Sequence, residues 1–264
     1  MESRVFTALG GECELYGIDV GVGALEQGEA WVLGMHDRLT RFETSSELSR
    51  FNAAAGRWTA VSPELAALLR ESLRAFVVSD GLVNIAILPG LLAAGYTRDF
   101  DAGPTARTAP PRIPPLPDVL ELRAGEGRLA PGSAIDLGGI AKGWMADRLA
   151  ERLGDNALVN LCGDLYARGG GETGEGWPVG FGDRTLLLKD LGAATSGTAK
   201  RSWEGGHHLI DPRTALPAKT DLREVSVLAS TAADAEIYAK VALLLGSNDA
   251  PAWLAPRSSG WALT

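Results

Sequence analysis

The chain has 264 residues, 45% of them hydrophobic and 22% charged, with a net charge of −8 at neutral pH. This length suits one large domain or two small ones with a sizeable core. The acidic balance argues against a general binder of nucleic acid or of anionic membranes, so an anionic cofactor would have to be held by local cations, backbone N–H groups or a metal. The two cysteines, Cys13 and Cys162, match no zinc-ligand spacing and argue against a disulfide framework. The opening MESRVFTALG lacks the apolar run of a signal peptide, and no stretch has the length of a membrane-spanning helix. The expectation is a cytoplasmic chain with no nucleic-acid partner and no stable membrane insertion.

In chain order, residues 3–20 alternate loosely around Gly10-Gly11 and predict a pair of hairpin-like strands. Leu25, Trp31, Val32 and Met35 recur at helical spacing over 24–38. A second helix is predicted from near Thr44, where Thr44 and Glu47 form a T-x-x-E capping box ahead of Leu48 and Phe51. Ser62-Pro63 reads as a cap followed by proline at the first helical position, and Leu65, Leu68, Leu69, Leu73 and Phe76 continue an amphipathic helix. Gly81 to Gly95 reads as a strand turning into a short helix. The proline-dense stretch 103–117 predicts a long exposed loop, because proline lacks an N–H and fixes φ.

Strands resume at Val119–Leu122. Next comes Ala134-Ile135-Asp136-Leu137-Gly138-Gly139-Ile140-Ala141-Lys142-Gly143, an apolar strand end running through a carboxylate, two glycines and a lysine into a helix that reaches about Leu153. Short strands are predicted at Ala157–Leu161, Leu165–Arg168, Val179–Phe181, Thr185–Lys189, Ala193–Ser196, His208–Ile210 and Glu224–Ala229, followed by a helix from Ala232 to Leu245 that ends at Gly246. The fold class expected is α+β: a single domain over 1–264 with many short, largely antiparallel strands and flanking helices.

The 134–143 stretch admits two readings. Glycines allow close approach of a ligand, and a helix start presents N–H groups and a positive dipole end to phosphate. Its spacing is neither GxGxxG nor GxxxxGK[ST], so a plain strand-to-helix turn with glycine packing is the better account of the stretch taken alone. Four further stretches stand out: Ser45–Asn52, Val159–Asp164, Ala194–Gly197 with His207–Thr214, and Ser230–Ala235. Each alone reads as a capped helix or a tight turn.

Taken in order, these stretches resemble the ApbE family of FAD:protein FMN transferases. That family carries approximately a SELSRxN helix, a DxGxxAKG turn, an NxGGD turn, a tSG turn, HIxDPRTGxP and a final ADAxxTA helix. Here they correspond to Ser46–Asn52, Asp136–Gly143, Asn160–Asp164, Thr195–Gly197, His208–Pro217 and Ala233–Ala239, spanning nearly the whole chain. The resemblance implies a site for FAD and Mg²⁺. There the threonine hydroxyl of a target protein attacks the phosphorus nearest the riboflavin, AMP leaves, and FMN remains as a phosphoester.

Carried over by position, the resemblance implies metal ligation by the Gly139 carbonyl, by Asp234 and by the residue one helical turn later. It places Leu9, Phe42, Leu82, Val83, Asn84, Asp136 and Lys142 at the cofactor, and makes His208 the catalytic proton-transfer candidate. The chain also departs from the pattern. Tyr238 stands where the family has a threonine ligand, and Asn84 where it has aspartate. Ala215 replaces the glycine of DPRTG, and Cys162 the first glycine of the GGD turn. A phenol is a poor Mg²⁺ ligand near neutral pH. Two alternatives therefore stay open beside FMN transfer: hydrolysis of FAD to FMN and AMP, and FAD binding with catalysis impaired or lost.

Overall fold

A computed structural model describes residues 1–204 and 206–264, which pack into two compact units. Unit 1 comprises Met1–His36, Ile140–Ser196 and Leu222–Thr264; unit 2 comprises Asp37–Gly139 and Gly197–Asp221.

Unit 1 is built on a seven-stranded sheet. From one edge its strands run Glu2–Ala8, Gly11–Gly17, Ala157–Leu161, Asp164–Arg168, Leu191–Gly197, Glu224–Ala229 and Gly260–Leu263. The ladders from Glu2–Ala8 through Leu191–Gly197 are antiparallel, as is the final pair. Two of its hairpins close through two-residue turns in which both residues have positive φ: Leu9 (56°) with Gly10 (80°), and Cys162 (60°) with Gly163 (97°). That is the type I′ pattern, whose twist suits adjacent antiparallel strands, and glycine meets its demand at the second position of each. Leu9 and Cys162 adopt it against the preference of a side-chain-bearing residue.

The Ala232–Leu245 helix of unit 1 is buried on almost every side. A helix that is apolar all round belongs inside a core. Its start lies against the Ala141–Leu153 helix, which follows the Gly138-Gly139 turn in sequence. A Cβ on Gly143 would fall 2.5 Å from the Ala232 carbonyl oxygen, so glycine is what lets the two backbones meet. The Asp147 carboxylate accepts from the N–H groups of Ala232 (2.7 Å) and Ala233 (3.0 Å), satisfying two donors that a helix start leaves open. Beside them, Thr231 caps by accepting from the Asp234 N–H at 3.0 Å.

Unit 2 holds the helices Glu47–Ala53, Pro63–Val78, Leu88–Ala93 and Leu116–Val119, together with a three-stranded antiparallel sheet of Thr59–Ala60, Glu126–Leu129 and Leu120–Arg123. Leu88, Leu91, Ala94 and Ile210 form a small apolar cluster, with Tyr96, Ala134 and Trp203 packed against it.

The structure bears out the α+β class, the first hairpin, the helices starting near Ala24 and at Ser62-Pro63, and the final Ala232–Leu245 helix. It corrects four local expectations, one of them the strand at His208–Ile210, which is replaced by two short strands, Gly206–His207 and Ile210–Asp211, that leave out His208 and Leu209. The second helix starts at Glu47 with Ser46 as its cap, not at Thr44: Ser46 Oγ accepts from the Ser49 N–H at 2.9 Å, while Glu47 turns to the Ser62 N–H at 2.7 Å and Arg38 at 3.0 Å. Residues 81–95 form no strand; a single 3₁₀ turn, Ile85–Ile87, leads straight into Leu88–Ala93. Ala134–Leu137 is also not a strand. Its backbone is held instead by a side chain: Asn52 Nδ2 donates to the Ile135 carbonyl and Asn52 Oδ1 accepts the Ile135 N–H, both at 2.9 Å. One amide thus reproduces the two bonds a neighbouring strand would make.

Candidate functional site

Within unit 2, Asp136 is tied from both oxygens. Oδ1 accepts from the Gly138 N–H at 2.8 Å, and Oδ2 pairs with Arg41 Nε at 2.8 Å. The Arg41 side chain is only 6% exposed and also donates to the Tyr96 carbonyl at 2.8 Å. Its guanidinium lies 4.3 Å from the Phe42 ring centre and 4.5 Å from that of Tyr96. The two rings are 5.8 Å apart, and Trp203 continues the group 5.7 Å beyond Tyr96. A cluster of mutually tilted rings around a planar cation, next to a carboxylate turn, suits a flat heteroaromatic ligand such as a flavin. Burial, the largest influence, pushes the Tyr96 phenol above its ordinary range, so it stays neutral. Arg41 and Tyr96 carry no motif and were not singled out from sequence. The only available signal was the adjacency of Arg41 to Phe42.

Leu82, Val83 and Asn84 sit in the turn before Ile85–Ile87. Asn84 is 7% exposed, and both ends of its amide are bonded within unit 2. Oδ1 accepts from the Ala86 N–H and Nδ2 donates to the Pro114 carbonyl, each at 2.9 Å. It acts as a cap that also pins the proline-rich loop. An aspartate could accept from Ala86 but could not donate to Pro114.

His208 is half-buried; its backbone N–H and its Nδ1 both address the Arg201 carbonyl, at 3.1 and 3.3 Å. With Nδ1 as the donor, the lone pair of the neutral ring belongs to Nε2. Its neighbour His207 has a structural task. Nε2–H donates to the Ala218 carbonyl at 3.0 Å and Nδ1 accepts the Leu209 N–H at 3.3 Å. Burial pushes the His207 pKa below its ordinary value. Because the folded state favours the neutral ring, its contribution to stability is complete above the unfolded-state pKa and declines as pH falls through that value toward the lower folded one. The stability difference between the wild type and His207→Gln, whose amide can also donate and accept, should therefore narrow between about pH 7 and pH 5. Urea unfolding at several pH values measures it; a constant difference would show that His207 does not titrate as described.

In unit 1, Lys142 lies in the first turn of the Ala141–Leu153 helix and pairs with Asp164, whose side chain is 3% exposed. Glu236, buried on the Ala232–Leu245 helix, accepts the Gly143 N–H at 2.9 Å and lies 3.9 Å from Lys240. Burial raises the Glu236 pKa, with Asp164 adding in the same direction. Burial alone would lower the Lys142 pKa, but Asp164 and Glu236 hold it above the ordinary lysine range. Lys142 thus carries a charge already balanced inside the unit. Sequence reasoning missed Glu236 and Asp147, since nothing in their spacing marks which face of a helix is buried.

Leu9 lies in the first hairpin turn of unit 1, and Asp234 in the first turn of the Ala232–Leu245 helix. Tyr238, one turn on, is 9% exposed and meets Trp253 edge to face at 5.5 Å. Gly139 belongs to unit 2. Among the described residues, no three His, Cys, Asp or Glu side chains cluster as a metal site. That chemistry still fits Mg²⁺, which is commonly held by one or two carboxylates with substrate phosphates supplying further oxygens. Asp234 fits such a role. Tyr238 does not, since a phenol is a poor Mg²⁺ ligand and its ring is engaged by Trp253.

These features fit a wider group. The family model described as "ApbE family" matches residues 10–263. The chain belongs to the ApbE family. A Treponema pallidum (strain Nichols) protein named FAD:protein FMN transferase is 32% identical over 243 residues, covering 76% of this chain and 65% of that protein. A Klebsiella pneumoniae (strain 342) protein of the same name is 31% identical over 234 residues, covering 80% and 72% respectively. The chain thus spans about two thirds of the length of the T. pallidum relative. The crystal structure of the ApbE protein from Thermotoga maritima superposes with a TM-score of 0.86 at 20% identity, covering 99% of this chain and 93% of that one. The apo Pseudomonas stutzeri flavinyl transferase ApbE gives 0.83 at 19% identity, covering 100% and 93%. At that identity the two structures establish the fold.

Proposed function

We propose that this chain acts as one functional unit that moves FMN from FAD to a threonine hydroxyl of an acceptor protein, releasing AMP. The observation that carries the reading is the ordered set of motifs lying within a family match over residues 10–263, together with relatives named for this transfer. The threonine oxygen attacks the phosphorus nearest the riboflavin, the bond from that phosphorus to the AMP oxygen breaks, and a phosphoester forms. His208 Nε2 takes the threonine proton; the Arg201 carbonyl holds the ring in the tautomer that makes this possible. The Phe42–Arg41–Tyr96 cluster receives the flavin ring, and the Asp136 turn is kept in shape by Arg41 and Gly138.

Asp234 is the proposed carboxylate ligand of Mg²⁺. Mg²⁺, when bound, would neutralise charge on the pyrophosphate. Lys142, balanced by Asp164, contributes by fixing the start of its own helix. The intended compartment is the cytoplasm. No helix among the described residues is long and apolar enough to cross a membrane.

The packing of Tyr238 on Trp253 favours one second reading, an FAD-binding chain that has lost transfer. Incubation with FAD and a threonine-bearing acceptor, with and without Mg²⁺, separates the two. Transfer predicts Mg²⁺-dependent AMP release and an acceptor heavier by one FMN phosphoester. FAD binding without AMP in either condition would establish the second reading.

A further inference from the structure

The two cysteines, 149 positions apart, meet in unit 1 with their sulfurs 3.8 Å apart. Cys13 lies on the Gly11–Gly17 strand, opposite Leu161, and Cys162 is the next residue, in the turn that follows. Neighbouring residues of an extended strand point to opposite faces. The left-handed backbone of Cys162 (φ 60°) breaks that alternation, and its Sγ arrives beside that of Cys13. Both sulfurs also address one acceptor, the Ala8 carbonyl, at 3.7 Å from Cys13 and 3.4 Å from Cys162. Gly11 keeps the approach open: a Cβ there would lie 3.1 Å from Cys162 Sγ.

We propose that Cys13 and Cys162 are a reversible dithiol–disulfide pair that, when oxidised, staples the Gly11–Gly17 strand to the Cys162–Gly163 turn. Their backbones are diagonal neighbours on adjacent strands, which puts the Cα atoms at roughly 6 Å, inside the range a disulfide spans. Side-chain rotation has to close the sulfurs from 3.8 Å to a bond of about 2 Å. Cys13 is buried and Cys162 is part-exposed, so an oxidant meets Cys162 first. The hydrogen bond of Cys13 to Cys162, and then its burial, keep its proton on, while the nearby Lys142 ammonium favours thiolate.

With a small-molecule disulfide as oxidant, the Cys162 sulfur attacks one of its sulfurs and expels one thiol, which takes the Cys162 proton. The Cys13 sulfur then attacks Cys162 in the mixed disulfide and expels the second thiol, which takes the Cys13 proton. The pair loses two electrons to the oxidant, and the Ala8 carbonyl loses both S–H donors. Leu9 lies next to that carbonyl, so its conformation would follow the state of the pair. The effect on FAD rests on the function proposed above; the disulfide itself does not.

The test is intact mass and thiol titration of the full chain after equilibration with excess oxidised glutathione, then after dithiothreitol. The expected result is a monomer lighter by two hydrogens with no titratable thiol, and full recovery of two thiols on reduction. A cross-linked peptide pair containing Cys13 and Cys162 should appear on digestion. Two thiols retained, a stable glutathione adduct, or an intermolecular dimer would each overturn the proposal. The wild-type measurement needs no variant to fold. Cys162→Ser should keep one slow-reacting thiol; rapid modification of Cys13 in it would contradict the assigned order. FAD affinity of the two redox forms is a separate reading: no difference with an intact mass shift would refute only the link to FAD.

Discussion

Asp234→Ala should lower FMN transfer by on the order of 10²–10³-fold, the loss typical of removing one group that stabilises transition-state charge, while leaving the fold intact. The separation of the two effects comes from how the helix start is built. Thr231 caps the helix by accepting the Asp234 backbone N–H at 3.0 Å, and alanine keeps that N–H. Asp147 holds the Ala232 and Ala233 N–H groups through its own carboxylate. Part of what the fold loses is a carboxylate near the positive helix end, about 0.3–1 kcal/mol. AMP release and acceptor mass, followed beside a urea unfolding curve, check both halves. Undiminished transfer would remove Asp234 from the proposed site. A collapsed unfolding midpoint would make its role structural.

Asp164→Ala should instead strike the fold. Its carboxylate is 3% exposed and faces Lys142, whose side chain is 17% exposed. Breaking a buried pair from one side costs about 3–5 kcal/mol, because the remaining charge stays buried. The lower end applies here, since Glu236 also acts on Lys142 and remains in place. Urea unfolding should show a midpoint shift of that size. Adding Lys142→Met to Asp164→Leu should recover much of the loss, as apolar replacement of both partners removes the stranded charge. A cost under about 0.5 kcal/mol for the single change would place this pair with the surface ion pairs.

The two predictions separate roles that motif position alone does not separate. Asp164 and Asp234 both stand in motif positions, and the resemblance assigns a site role to Asp234 alone. The structure gives Asp164 an internal partner and leaves the helix cap to other atoms at Asp234. Asp136 and Asn84 show the same division. Each is a motif position with one polar atom on the backbone of its own turn and another on a distant segment of unit 2, Arg41 for Asp136 and Pro114 for Asn84.

What the sequence determined by itself was local and periodic. The Ser62-Pro63 start, the Ala232–Leu245 helix with its Gly246 stop and the short alternating strands follow from caps, spacing and turn chemistry acting over a few residues. The family followed from motif order, which needs no coordinates. Where two caps competed, at Thr44 and Ser46, sequence rules ranked the wrong one, because Glu47 is drawn to Ser62 and Arg38. Only the tertiary structure decided which charges are spent inside the fold: Arg41 on Asp136, Lys142 on Asp164, Glu236 on the Gly143 N–H. It alone brought Cys13 to Cys162, and it turned Ala134–Leu137 from a predicted strand into a segment held by Asn52. The reason is physical. Caps and periodicity act between near neighbours, whereas ion pairs, side-chain amide bridges and sulfur contacts join residues that only chain folding brings within a few ångströms.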